Sequence, residues 1–182
     1  MKSTFQELLS YLKAPTLEKD ANDGLFYRFQ KLVHLLMICI LTGMILSPIF
    51  GIIEKFKLID LDNHAVEKLL ESESKLTIFF ITVIMAPVVE ELIFRGPLTL
   101  FKQQRLFSFI FYSFAFLFGL VHITNYEISR NVILLTPILV APQFILGTYL
   151  GFIRIRFGLL WSILLHASYN AFFMFITFVA EP

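Results

Sequence analysis

Three stretches of this chain, residues 32 to 53, 132 to 153 and 157 to 180, run without a single Asp, Glu, Lys or Arg. A helix needs about 20 mostly apolar residues to cross the hydrocarbon core of a bilayer, and there the backbone must satisfy its own hydrogen bonds. Residues 106 to 124 meet the same template, interrupted only by His122, as the first and third of the other runs are interrupted only by His34 and His166. A fifth stretch, from about 72 to 104, is equally apolar but carries Glu90, Glu91 and Arg95 in its middle and a Gly96-Pro97 break after them. The expected fold is therefore all-α, a multi-pass transmembrane helical bundle with about five spans.

Composition excludes the alternatives. At 57% hydrophobic, 16% charged and a mean hydropathy of +0.76, the chain is too apolar for a water-soluble domain, in which roughly a quarter of residues are charged. The 22 Phe suit a surface that faces lipid and would aggregate on one that faces water. A net charge of +1 offers no basic excess, so nucleic acid is not an expected partner. Cys39 is the lone cysteine, which rules out an intrachain disulfide framework and a sulfur-rich metal site.

Residues 1–30 read as a cytoplasmic amphiphilic segment, with Leu8, Leu9 and Leu12 placed along the membrane surface, and residues 31–182 as the transmembrane bundle. The first 25 residues carry charges and no apolar run of signal-peptide type, so no cleaved leader is expected. The loop from about 54 to 75 mixes acids and lysines; its VEKLLESESKL stretch reads either as a separate helix or as an extension of the second span. With the N-terminus inside, ten Lys and Arg fall on inner segments and five on outer ones. That bias predicts a cell-membrane protein with a cytoplasmic N-terminus.

The charged residues inside the spans carry the chemistry. An acidic side chain at a helix centre costs about 2.5 to 3.5 kcal/mol on insertion scales, so each needs a reason. Arg95 follows Glu91 by four residues, on the same helical face and in the favourable order, which makes it the expected ion-pair partner. Glu90 is rotated by about 100° from Glu91 and needs another role, catalytic or as a hydrogen-bonded carboxyl that joins helices. His122 ends the FGLVH stretch, with Phe118 one turn earlier; on its own it reads more readily as a packed or interfacial histidine than as a catalytic one. His166 and Asn170 lie four apart in LLHASYN, with Ser162 one turn before. They present either an interhelical hydrogen-bond seam or an imidazole and an amide donor suited to a polarised carbonyl oxygen. Counting helical rise from the inner ends puts Glu90 at roughly 22 Å, His122 at roughly 25 Å and His166 near 15 Å. Kinks at Pro87 and Gly96-Pro97 are available to absorb the mismatch. Polar clusters from three spans that converge in one protein-lined cavity would make a hydrolytic site.

VVEELIFRG matches an EExxxR pattern, FGLVH an FxxxH pattern and HASYN an HxxxN pattern. In this order they resemble the CAAX protease and bacteriocin-processing family of intramembrane proteases, type II CAAX endopeptidase-like, over a core at about residues 76–180. The resemblance implies an endopeptidase that cleaves a peptide or a lipidated, CAAX-type prenylated protein. It implies that Glu90 and His122 activate water and that His166 and Asn170 stabilise the oxyanion, with Glu91 and Arg95 in support. Members of the family are usually classed as metalloproteases, which would make Glu90, His122 and His166 the ligands of a Zn²⁺ ion with an open position. A metal-free scheme, with Glu90 raised in pKa by burial and acting as general base, fits the same residues, and Asn170 favours it. The HExxH arrangement is absent. Two rival roles remain for the scaffold: non-catalytic self-immunity to a bacteriocin, and a proton-coupled carrier.

Overall fold

The computed structural model describes residues 1–59 and 65–180. Among these, nine α-helices and no strand occur: α1 (Lys2–Lys13), α2 (Leu25–Lys55), α3 (Ala65–Ser72), α4 (Lys75–Phe79), α5 (Ala86–Phe94), α6 (Gln104–Val121), α7 (Arg130–Leu139), α8 (Ala141–Phe157) and α9 (Leu159–Ala180). Five segments are long and apolar enough to cross a membrane: Leu25–Lys55, Lys75–Leu100, Arg105–Asn125, Arg130–Phe157 and Leu159–Ala180. The protein is a multi-pass membrane protein of the class its sequence predicts. Large apolar side chains such as Phe109, Leu134 and Phe175 point outward, where lipid rather than water meets them.

Two of the five spans are broken, each for a local reason. In the second, Ser74 caps α4 by accepting from the Thr77 amide at 3.2 Å, and α4 then widens into a π-helical stretch, Phe80–Met85, before α5. Pro87, in the first turn of α5, has no N–H to give the preceding turn, and the Ala86 amide bonds the Ile81 carbonyl five residues back. After Arg95 the chain tightens into a 3₁₀ turn, Pro97–Leu100, at the Gly96-Pro97 break. In the fourth span α7 and α8 part at Val140, with Pro142 at the start of α8. The VEKLLESESKL stretch divides: its first seven residues lie in the separate helix α3, which ends at Ser72, and its last two, Lys75 and Leu76, open α4 and the second span; the loop ahead of it lies partly outside the described residues.

The most extensive helix contact is between α6 and α8. A Cβ on Gly147 of α8 would stand 3.3 Å from Ala115 Cα and 3.1 Å from Phe118 of α6, so small residues let these backbones approach. α8 runs through the middle of the bundle: Leu150, Phe152 and Ile153 are fully enclosed, with α1, α2, α6 and α9 packed around it. Gly158 turns the chain from α8 into α9 at φ 108° and ψ 173°, a conformation essentially reserved for glycine.

Of the three leucines expected along the membrane surface, two pack into the bundle instead. Leu8 is buried and Leu12 packs against the same core, while Leu9 stays exposed. Tyr11 is wedged edge-on between Phe111 and Phe152, and Tyr112 of α6 donates its hydroxyl to the Leu12 carbonyl. The Leu8, Tyr11 and Leu12 side of α1 is thus covered by the bundle, and Leu9 is left outside.

Candidate active site

Glu91 is the buried centre of the polar cluster. Its side chain is 0% exposed and its Oε1 lies 3.1 Å from Arg95 Nη1, as the four-residue spacing predicts. The same oxygen is 3.1 Å from His166 Nδ1, and Oε2 accepts from the Ser162 hydroxyl. Because a carboxylate only accepts, Nδ1 of His166 carries the hydrogen and Nε2 is turned toward the other carboxylate. Arg95 is equally enclosed. Its guanidinium sits 3.9 Å above the Phe118 ring and against Gly147, where a Cβ would come within 3.1 Å of Nη2. No hydrogen bond with good geometry reaches either Nη, so the charge is met by the neighbouring carboxylate and by the ring face.

Glu90 points the other way and is 28% exposed. Its Oε2 faces His166 Nε2 at 3.8 Å, beyond direct hydrogen bonding. Between Arg95 and Gln104 the chain is a 3₁₀ turn and loop and not α-helix, so the depth of Glu90 does not follow from regular helical rise. His122 caps α6, and its Nδ1 lies 2.7 Å from the Phe118 carbonyl. That nitrogen is therefore the donor, leaving Nε2 as the acceptor in a neutral ring. Phe118 holds both imidazoles edge to face, at 4.8 Å from His122 and 5.7 Å from His166.

Asn170 is anchored, not free. Its Nδ2 donates to the Thr82 carbonyl at 2.8 Å. That carbonyl sits in the π-helical stretch: the Ala86 amide is taken by Ile81, and Pro87, five residues on, has no amide hydrogen. Asn170 fills the vacancy, as a buried carbonyl in an apolar medium requires, and one amide hydrogen remains for another acceptor.

Of the six residues singled out in the sequence, Glu90, Glu91, Arg95 and His166 meet directly across two spans, His122 reaches them by way of the Phe118 ring, and Asn170 is tied to the Thr82 carbonyl. Two contributors went unforeseen in the sequence. One is the Thr82 carbonyl, for which the five-residue spacing to Pro87 was the available signal. The other is Arg154, read only as a topological charge. Its guanidinium donates to the Arg95 carbonyl at 2.9 Å, to Thr99 Oγ1 at 3.0 Å and to the Gly96 carbonyl at 3.4 Å, and so pins the turn that ends α5. Among the described residues no three His, Cys, Asp or Glu side chains are grouped so as to hold a metal ion. Glu90, His122 and His166 therefore do not form a ligand sphere in this conformation.

The model of one family, the type II CAAX prenyl endopeptidase Rce1-like proteins, matches residues 72–172. The chain belongs to that family. The match takes in Glu90, Glu91, Arg95, His122, His166 and Asn170 and leaves α1 and α2 outside, so the Rce1-like part coincides with the spans that build the polar cluster. It is a CAAX-type intramembrane protease scaffold. No curated protein and no solved structure matches the chain.

Proposed function

We propose that the chain is an intramembrane endopeptidase that hydrolyses a peptide bond in a membrane-associated peptide or protein, with a prenylated C-terminal segment as its substrate class. The observation that carries this reading is the pairing of Glu90 Oε2 with His166 Nε2, from separate spans, at 3.8 Å. An oxygen atom about 2.8 Å from each fits against both, which is where an attacking water would be held. Glu90, the less enclosed carboxylate, takes a proton from that water as its oxygen bonds to the carbonyl carbon. The Nε2 lone pair of His122 assists from α6. His166, its Nδ1–H held by Glu91 and a second hydrogen on Nε2 making the ring cationic in the reacting state, and the remaining amide hydrogen of Asn170 stand on the α9 side to donate to the tetrahedral oxyanion. Collapse breaks the C–N bond, and Glu90 returns the proton to the leaving amine. Glu91 and Arg95 hold the ring and the helix in place and take no proton. No step in this scheme passes through a metal. The N-terminus is assigned to the cytoplasm of a cell-membrane protein by the distribution of Lys and Arg.

The test is cleavage of a fluorogenic, farnesylated C-terminal peptide, and of its unprenylated twin, by the purified chain. Glu90→Gln is expected to lower kcat at least ~100-fold with little change in melting temperature. A Glu90→Gln protein that cleaves at the wild-type rate, or a wild type that cleaves no membrane-anchored peptide, would refute the proposal. Equal cleavage of the twin would remove the prenyl group from the specificity.

A further inference from the structure

Away from the carboxylates, the loop between α1 and α2, the first turn of α2, the end of the second span and the last turn of α8 enclose a cavity of about 190 Å³. Four cations line it, Lys19, Arg28, Arg154 and Arg156, against one carboxylate, Asp20. These charges are unequally engaged. Arg156 pairs with Glu7 at 3.2 Å and with Asp20 at 3.4 Å, while Asp20 also accepts from the Tyr27 hydroxyl. Among the described residues no Asp or Glu forms an ion pair with Lys19, Arg28 or Arg154. The hydrogen bonds of Arg154 go to neutral oxygens, which satisfy its donors and leave its charge. Arg28 lies over the Phe157 ring at 5.7 Å. The Nε atoms of Arg28 and Arg156 are both buried without an acceptor.

Three uncompensated cations and two idle donors around one enclosed volume describe an anion site. Gly158 forms part of the wall, and α9 begins at the next residue, so the positive end of its dipole adds to the same field. Guanidinium forks match tetrahedral oxyanions better than any other side chain does. The depth decides among such anions. The cavity lies where α2 and α9 begin and where α8 ends, at the rim of the bundle. A basic pocket between spans at that level meets lipid headgroups.

We propose that this cavity binds the phosphate group of an anionic phospholipid. A free phosphate offers the same oxygens and is told apart by experiment. Because Arg154 lines the cavity and also holds the Arg95 and Gly96 carbonyls, the occupant is one residue removed from the turn that ends α5. The inference does not depend on the proteolytic reading.

The full chain is delipidated in a neutral detergent, and its thermal unfolding is followed with added phosphatidylglycerol, phosphatidylcholine or inorganic phosphate. Phosphatidylglycerol is expected to raise the melting temperature saturably and phosphatidylcholine to leave it unchanged. Arg28→Gln should weaken the apparent affinity about fivefold, the scale of one basic charge at an anionic membrane surface. Lys19→Gln, at an exposed loop position, should do the same without any risk to folding. A saturable rise with inorganic phosphate equal to that with phosphatidylglycerol, and weakened in both variants, would keep the phosphate site and overturn its lipid source. No rise in the wild type, or equal apparent affinity in wild type and both variants, overturns the site itself.

Discussion

Glu90 and Glu91 are neighbours in sequence with opposite surroundings. Glu91 has four partners' worth of structure around it in Arg95, Ser162, His166 and the closed packing of α9, while Glu90 has one facing imidazole and an opening. Replacing Glu91 with Gln leaves the Arg95 cation enclosed without its counter-charge. This is expected to destabilise the protein by about 3 to 5 kcal/mol, seen as a large fall in melting temperature even where lipid is saturating. The Glu91–Arg95 pair was legible in the sequence because helical spacing alone determines it, and the same geometry separated Glu90 from it. The contacts that close on Glu91 from α9 were not, because a column of Ser162, His166 and Asn170 states which face is polar without stating what that face meets. Arg154 was opaque for the same reason: a cation at the end of a span satisfies a topology rule whether or not it also binds three oxygens.

At the scale of elements, the second span works through its irregularity. Pro87 was readable as a kink, but the kind of kink was not, since proline fixes only which hydrogen is missing and the surrounding packing decides how the preceding turn responds. Here the response is a π-helical stretch, and the helix across from it supplies Asn170 to the carbonyl left over. Asn170→Ala should therefore destabilise by about 1 to 3 kcal/mol, the cost of an unsatisfied buried carbonyl. In a Pro87→Ala background, where residue 87 regains an amide hydrogen, the same substitution should cost less. A double-mutant cycle read by thermal unfolding checks this: additive effects would mean that the two residues do not share one carbonyl. Gly158 makes an independent case. Gly158→Ala forces a side chain into a positive-φ conformation and is expected to cost about 1 to 3 kcal/mol, measured in the same way.

For the whole molecule, the five spans were plain from their composition, because crossing a bilayer is a requirement a single segment must meet by itself. The docking of α1 is a different matter: its apolar face is equally suited to a membrane surface and to a protein one, and only the assembled bundle offers the second. Burial pushes the Tyr11 phenol up, whereas in an unfolded chain it ionises near pH 10. The folded chain thus keeps a proton that the unfolded chain gives up, and stability is lost as the pH rises above about 10. Tyr11→Phe should lose less stability over that range, although it forfeits the hydrogen bond to the Thr16 carbonyl at every pH. The partners of this segment lie far along the chain: Leu12 bonds a residue 100 positions on, Pro15 one 93 positions on and Glu18 one 138 positions on. During synthesis α1 has α2 to pair with from the start, through Glu7 with Lys31 and Thr4 with His34, but those longer-range bonds close only after the third and fourth spans have entered the bilayer.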